Sequence, residues 1–123
     1  MNLLVLGGTR FLGRHLVQTA LERGDHVTLF NRGRTNPELF PEAKKLRGDR
    51  TSDVSALRES RWDAAVDVAT FLPRVVRLSV DALRDQVERY VYVSSVSVYA
   101  DHSVPPVEGA AVAELADPDD ESV

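Results

Sequence analysis

The apolar run Asn2-Leu3-Leu4-Val5-Leu6 passes straight into Gly7-Gly8-Thr9-Arg10-Phe11-Leu12-Gly13. A short continuous apolar run that ends at glycines reads as a strand covered on both faces. Beyond it, Leu12, Leu16, Val17, Ala20 and Leu21 share one face of a helix predicted over Phe11–Arg23, which Gly24 stops. Three glycines set where a buried strand becomes a helix leave few folds open. Gly7 permits the tight turn, Gly8 keeps side-chain bulk away from whatever approaches it, and Gly13 lets the helix lie close on the sheet. The helix start then offers unpaired N–H groups and a positive dipole end, which suit a pyrophosphate. The alternative is a plain strand-to-helix turn that holds no ligand.

The rest of the chain repeats this alternation. Further strands are predicted over His26–Phe30, Lys44–Leu46, Ala64–Val68 and Tyr90–Ser94, with Trp62-Asp63 introducing the fourth. A loop from Asn31 to Pro41 carries a short helical turn at Pro37–Phe40. A short helix over Asp53–Glu59 takes Thr51 or Ser52 as its cap, and a longer one over Arg74–Gln86 has Pro73 at its start. After Ser95 the chain reads as loop, with one helical turn near Ala110–Ala116. Alternating strands and helices specify an α/β protein: a Rossmann-type, doubly wound parallel sheet with right-handed crossovers. The inferred strand order is 3-2-1-4-5. Residues 1–100 are read as the dinucleotide-binding half, and 101–123 as an acidic loop or tail leading to a C-terminal part that completes the sheet.

In this fold, candidate cofactor-binding residues follow from position. The turn supplies Gly7, Gly8, Thr9, Arg10, Phe11, Leu12 and Gly13. Arg10 stands where a glycine is usual, and either pairs with a phosphate or lies on the surface. An acidic residue about 20 residues beyond the glycines ordinarily binds the ribose of NAD. Here the second strand ends in Asn31-Arg32-Gly33-Arg34, without that acid. Asn31 suits a ribose hydroxyl. Arg32 and Arg34 either meet a 2′-phosphate, favouring NADP over NAD, or are ordinary loop arginines. Gly48-Asp49-Arg50 closes the third strand. Asp49 either meets the adenine amino group, with Arg50 beside it, or shapes a turn. Ala69-Thr70-Phe71 closes the fourth strand, where Ala69 passes the adenosine ribose.

Composition narrows the remaining classes. A chain of 123 residues suits one domain, and the absence of cysteine excludes disulfides, thiolate metal sites and a cysteine nucleophile. His15, His26 and His102 are scattered, so no metal site is expected. The net charge of −4 argues against nucleic acid as the main partner. From Asp101 onward there is no Lys or Arg, which reads as a solvated acidic segment. No apolar run is long enough to span a bilayer and no signal peptide is visible, so a cytoplasmic location is expected.

The Gly7–Gly13 turn, the Gly48-Asp49-Arg50 strand end and the run Tyr92-Val93-Ser94-Ser95-Val96-Ser97-Val98-Tyr99 together resemble the NAD-dependent epimerase/dehydratase family of extended and atypical short-chain dehydrogenases/reductases. The resemblance covers the chain as far as Tyr99 and is closest to the atypical branch. It implies an oxidoreductase or isomerase acting on a carbonyl or hydroxyl of a small molecule, often a nucleotide sugar. A Tyr and a Lys four residues later move the proton, and a Ser at the end of strand five bonds the same oxygen. Ser95 matches that Ser, or else only caps a turn. The Tyr-x-x-x-Lys pair is absent: neither Lys44 nor Lys45 has a Tyr four residues before it. The chain is therefore expected to be a fragment, inactive alone. Its exposed sheet edge or helices would offer a contact for a homo-oligomer. The competing readings are a non-catalytic module that senses NADP(H), and RNA association as in part of the atypical branch.

Overall fold

The computed structural model describes residues 1–70 and 72–121, so Phe71 at the expected end of strand four lies outside the described residues. Five strands pair in parallel: β1 (Asn2–Leu6), β2 (His26–Asn31), β3 (Lys44–Arg47), β4 (Trp62–Asp67) and β5 (Val87–Tyr92). Their order is β3-β2-β1-β4-β5, the doubly wound arrangement read from the sequence. Two helices, α1 (Phe11–Glu22) and α2 (Pro73–Leu83), accompany them.

β1 lies at the centre and its neighbours explain its composition. Leu4 and Leu6 face one layer with Phe30, Ala65, Leu57, Trp62, Ala82 and Leu83. Leu3 and Val5 face the other with Val27, Leu29, Ala43 and the α1 residues Val17 and Ala20. A strand buried on both faces has no polar alternation to show, hence its unbroken apolar run. Register aligns the strand ends: Leu6 stands beside Phe30 and Asp67, Asn31 beside Arg47, and Asp67 beside Tyr92. Gly7, Asn31, Arg47 and Asp67 thus share one edge, the carboxyl end of the sheet, where ligands of such sheets bind.

Several expected elements differ in extent. β5 begins at Val87, not Tyr90, and ends at Tyr92, not Ser94. Glu88 and Arg89 are exposed on this edge strand, so its first half pairs through main chain without reading as apolar. α2 ends at Leu83 rather than Gln86, because the Gln86 N–H turns back to the Leu83 carbonyl and the Gln86 carbonyl accepts from Trp62. The helix expected over Asp53–Glu59 is only a 3₁₀ turn at Ser55–Arg58. Neither Thr51 nor Ser52 caps it; the Asp53 carboxylate instead accepts from the Ser55 N–H and hydroxyl. At Pro37–Phe40 the expected short turn is a single hydrogen-bonded one, with Leu39 N–H donating to the Asn36 carbonyl at 3.2 Å.

The chain divides into two compact units, Met1–Val93 and Ser94–Val123. In the second, a 3₁₀ turn at Val96–Val98 is followed by main-chain pairing of Ala100 with Ala111 and of Ala113 with Val98, at 2.9 and 2.8 Å. The helical turn expected near Ala110–Ala116 is not formed, because those main-chain groups bond across to 98–100 in extended form. Among the described residues, no helix is long and apolar enough to cross a membrane.

The burial pattern sets a stability contrast. Leu4→Ala empties a fully buried site in the central strand and is expected to cost about 2–5 kcal/mol in denaturant unfolding. Leu78→Ala, at a site 37% exposed on α2, is expected to cost about 1 kcal/mol or less. Equal losses at the two positions would contradict this assignment of the core.

Candidate functional site

The glycine turn is packed from behind. Gly7 and Gly8 have φ of +106° and +93°, and Gly7 N–H donates to the Phe30 carbonyl at 3.0 Å. A Cβ on Gly8 would lie 2.8 Å from Leu29 Cδ2 and 3.2 Å from Val17 Cγ2. The missing side chain at Gly8 therefore clears the protein's own core; the expected clearance toward a ligand is not its reason. At Gly13 a Cβ would meet Val68 Cγ2 at 2.9 Å and the Gly8 main chain at 3.0 Å, so helix and turn do touch there. Ala69 is the neighbour of Gly7: a Cβ on Gly7 would stand 2.9 Å from its methyl.

The helix start faces outward. Arg10 is exposed, with extended backbone, and no side chain caps α1. No acidic residue occupies its first turn. The main-chain N–H groups of that turn are thus left for an anion. Phe11 is held at φ +32°, a conformation rare for an aromatic residue, and the residue is 86% exposed. Leu12 is exposed beside it, whereas Thr9 is buried.

Two asparagines tie this turn to β2 and the loop after it. Asn31 Nδ2 donates to the Gly7 carbonyl at 3.2 Å, and Asn36 Nδ2 donates to the Thr9 carbonyl at 3.0 Å. Asn31 Oδ1 accepts from Gly33 N–H at 2.9 Å and from an Arg47 Nη1 at 2.7 Å. Both lone pairs of that oxygen are used, so Asn31 keeps one amide hydrogen for a ribose. Sequence reasoning missed Asn36 and Arg47, and missed this bracing role of Asn31. The register partner of a functional strand end was the available signal for Arg47.

Arg32 and Arg34 are exposed in the same loop, and their charge reaches Asp49. Asp49 takes the turn-shaping alternative: its Oδ1 accepts from the Thr51 N–H at 2.9 Å and hydroxyl at 2.6 Å. The Thr51 hydroxyl and N–H, and to a smaller degree Arg32 and Arg34, hold the Asp49 carboxyl below its ordinary value.

Arg50 does not stand beside Asp49 as a free rim residue. Its guanidinium turns inward onto Asp67, whose side chain is fully buried, with Nη1 donating at 2.7 Å and Nη2 pairing with the other oxygen. The same carboxylate accepts from the Tyr90 hydroxyl at 2.6 Å and the Ala69 N–H at 3.2 Å. Arg50 Nη2 also reaches Ser79 Oγ on α2, at 3.3 Å. Arg50 Nε is buried without a hydrogen-bond partner. Burial first, then the Asp67 carboxylate, push the Tyr90 phenol far above its ordinary value, so it stays a donor. This network was also missed. An acid inside the strand Ala64-Ala65-Val66-Asp67-Val68 was the signal, since a buried charge must be paired.

Ser95 lies in the second unit. Its Oγ accepts from the Ser97 N–H at 3.2 Å and from the Ser97 hydroxyl at 2.8 Å, the turn-capping arrangement. Among the described residues, no three His, Asp or Glu side chains are grouped to hold a metal ion.

A model of the NAD dependent epimerase/dehydratase family matches residues 3–75. The chain is 29% identical over 126 residues to the chloroplast stem-loop binding protein of 41 kDa b from Arabidopsis thaliana, covering 85% of this chain and 32% of that protein. Its fold resembles UDP-galactose 4-epimerase with a TM-score of 0.78 at 22% identity, covering 92% of this chain and 45% of that one. It also resembles a mutant UDP-glucuronic acid 4-epimerase from Bacillus cereus, solved with UDP-4-deoxy-4-fluoro-glucuronic acid and NAD. That match has a TM-score of 0.74 at 19% identity and covers 97% of this chain and 48% of the other. The chain thus spans 32% of the curated relative's length and less than half of either solved structure's.

The buried network makes two predictions. Arg50→Ala leaves the Asp67 charge uncompensated and is expected to cost about 3–5 kcal/mol in denaturant unfolding. Tyr90 holds its proton more tightly folded than unfolded, so its contribution is complete below about pH 10 and is lost as pH rises beyond. Tyr90→Phe is therefore expected to flatten the alkaline fall of stability above about pH 10; identical alkaline limbs would refute the assignment.

Proposed function

The chain belongs to the NAD dependent epimerase/dehydratase family, and on that premise we propose that it is the dinucleotide-binding half of an epimerase, dehydratase or reductase. Its substrate carries a carbonyl or hydroxyl, and a nucleotide sugar is the class suggested by the names of its structural neighbours. In this reading residues 1–100 hold the cofactor and 101–123 lead toward the substrate-binding part. The observation that carries it is the uncapped start of α1 behind the Gly7-Gly8 turn, at the carboxyl end of a parallel sheet.

The residues present fit a dinucleotide. The first-turn N–H groups of α1 receive its pyrophosphate, and Arg10 reaches the same phosphates from the cap position. Phe11 and Leu12 offer apolar cover above them. Asn31, Arg32 and Arg34 flank the adenosine ribose, Asp49 shapes the adenine side, Arg50 stays inside on Asp67, and Ala69 borders the turn. The loop lacks the acid that would repel a 2′-phosphate, which favours NADP over NAD. When bound, the cofactor supplies a hydride donor or acceptor. Ser95 would hydrogen-bond the reacting substrate oxygen. The proton-transferring Tyr–Lys pair is not among these residues, so the 123-residue chain is expected to bind cofactor and turn over no substrate.

One observation favours a second reading, RNA association: the curated relative is named for stem-loop binding. The net charge of −4 weighs against it. Salt-dependent RNA binding without dinucleotide binding would give this reading first place.

A substitution at the cap position separates the cradle from a plain turn. Arg10→Asp supplies α1 with the side-chain cap it lacks and places a negative charge where the pyrophosphate would sit. We expect the unliganded protein to gain about 1 kcal/mol. Calorimetric titration with NAD and NADP is expected to show binding weakened by about tenfold or more. Unchanged dinucleotide affinity would place the ligand elsewhere.

A further inference from the structure

We propose that Arg47 is the residue that selects a phosphorylated adenosine ribose, acting with Arg32 and Arg34 as a guanidinium rim for a 2′-phosphate monoester. The proposal rests on the dinucleotide reading above and deepens it. Arg47 is the last residue of β3 and the register partner of Asn31, so it stands at the edge where the ribose-binding acid of such folds is replaced by an amide. Its guanidinium is aimed before any ligand arrives. Nη1 donates to Asn31 Oδ1 at 2.7 Å, and the group lies across Gly33, where a Cβ would meet Nη1, Cζ and Nε at 2.3, 2.4 and 2.7 Å.

Gly33, at φ +70°, is therefore the floor on which the guanidinium lies, and its N–H donates to the same Asn31 oxygen. Holding one Nη by Asn31 leaves the other nitrogens of an exposed, planar fork for an anion. A guanidinium fixed in this way loses less conformational freedom on binding than a free surface arginine. Charge points the same way. The charges of Arg32 and Arg34 reach Asp49, whose Oδ1 is already bonded to Thr51. Lys45, two residues before Arg47, donates to the Leu39 carbonyl; burial first, then Arg47, hold its ammonium below the ordinary value against Glu38 and Glu42, so three guanidiniums remain at this rim for a phosphate dianion to pair with.

The test is calorimetric titration of the full chain with NADP and NAD at low and at physiological salt. The wild type is expected to bind NADP about tenfold or more tighter than NAD, one charge-assisted pair's worth, with the ratio shrinking as salt rises. Arg47→Ala is expected to bring the ratio down toward that of the loop arginines alone while leaving NAD affinity unchanged. Arg47→Lys keeps the charge but not the fork and is expected to fall between. Arg58→Ala, in the remote 3₁₀ turn, is expected to keep the wild-type ratio. A merely bracing role for Arg47 would lower both affinities equally and overturn the proposal. So would equal NAD and NADP binding by the wild type, which leaves the dinucleotide reading standing; binding of neither overturns both.

Discussion

Where β1 leaves the sheet, the main chain runs through a gap that no side chain can share. Val5, Val17 and Leu29 close on Gly8 from the core side, so the chain turns there on backbone alone. Much of the site follows from that squeeze. With Gly13 pressed against the same turn, α1 must begin at once, and Phe11 is driven to a positive φ and left exposed. The turn's carbonyls point away from the core and need donors, which Asn31 and Asn36 provide. The outward N–H groups find no acceptor in a side-chain cap. A surface suited to an anion is thus a by-product of packing a helix tightly on a sheet.

Two polar systems flank this turn, and their physics differs. The Arg50–Asp67–Tyr90 network is removed from water, so its energy lies in being complete, and breaking any one member exposes the rest to an unpaired state. The rim of Arg32, Arg34 and Arg47 is hydrated and screened. Its groups contribute little to the fold and retain their charge for something that arrives from solution. Neighbouring residues Asp49 and Arg50 fall on opposite sides of this divide: one carboxylate stays at the surface on Thr51, while the adjacent guanidinium is drawn inside.

The sheet was legible because burial on both faces writes itself as apolar runs, as in Leu3–Leu6, and because glycine spacing marked the first crossover. The start of β5 was not: Val87-Glu88-Arg89 pairs through main chain on an edge, where charged side chains are tolerated. The 3₁₀ turn at Ser55–Arg58 was overestimated because capping residues are equally at home in the Asx-type turn that Asp53 forms. Within the site, the glycines could be found but the direction of the missing Gly8 side chain could not. Arg47 and Asp67 were invisible for a shared reason. Each matters through a partner 16 or 17 residues distant in sequence: sheet register brings Arg47 to Asn31, and the connection after β3 brings Arg50 to Asp67.

Asp67 draws its donors from the connection after β3, from the loop after β4, and from β5, with α2 supporting Arg50 through Ser79. None of these segments can satisfy the carboxylate alone, and until all are assembled hydration serves it better. The network therefore closes late, after the strands have found their order, on the native side of the folding barrier. Its contribution falls mainly on how slowly the native sheet comes apart. In this protein the buried charge works less as a guide to folding than as a catch that shuts behind it.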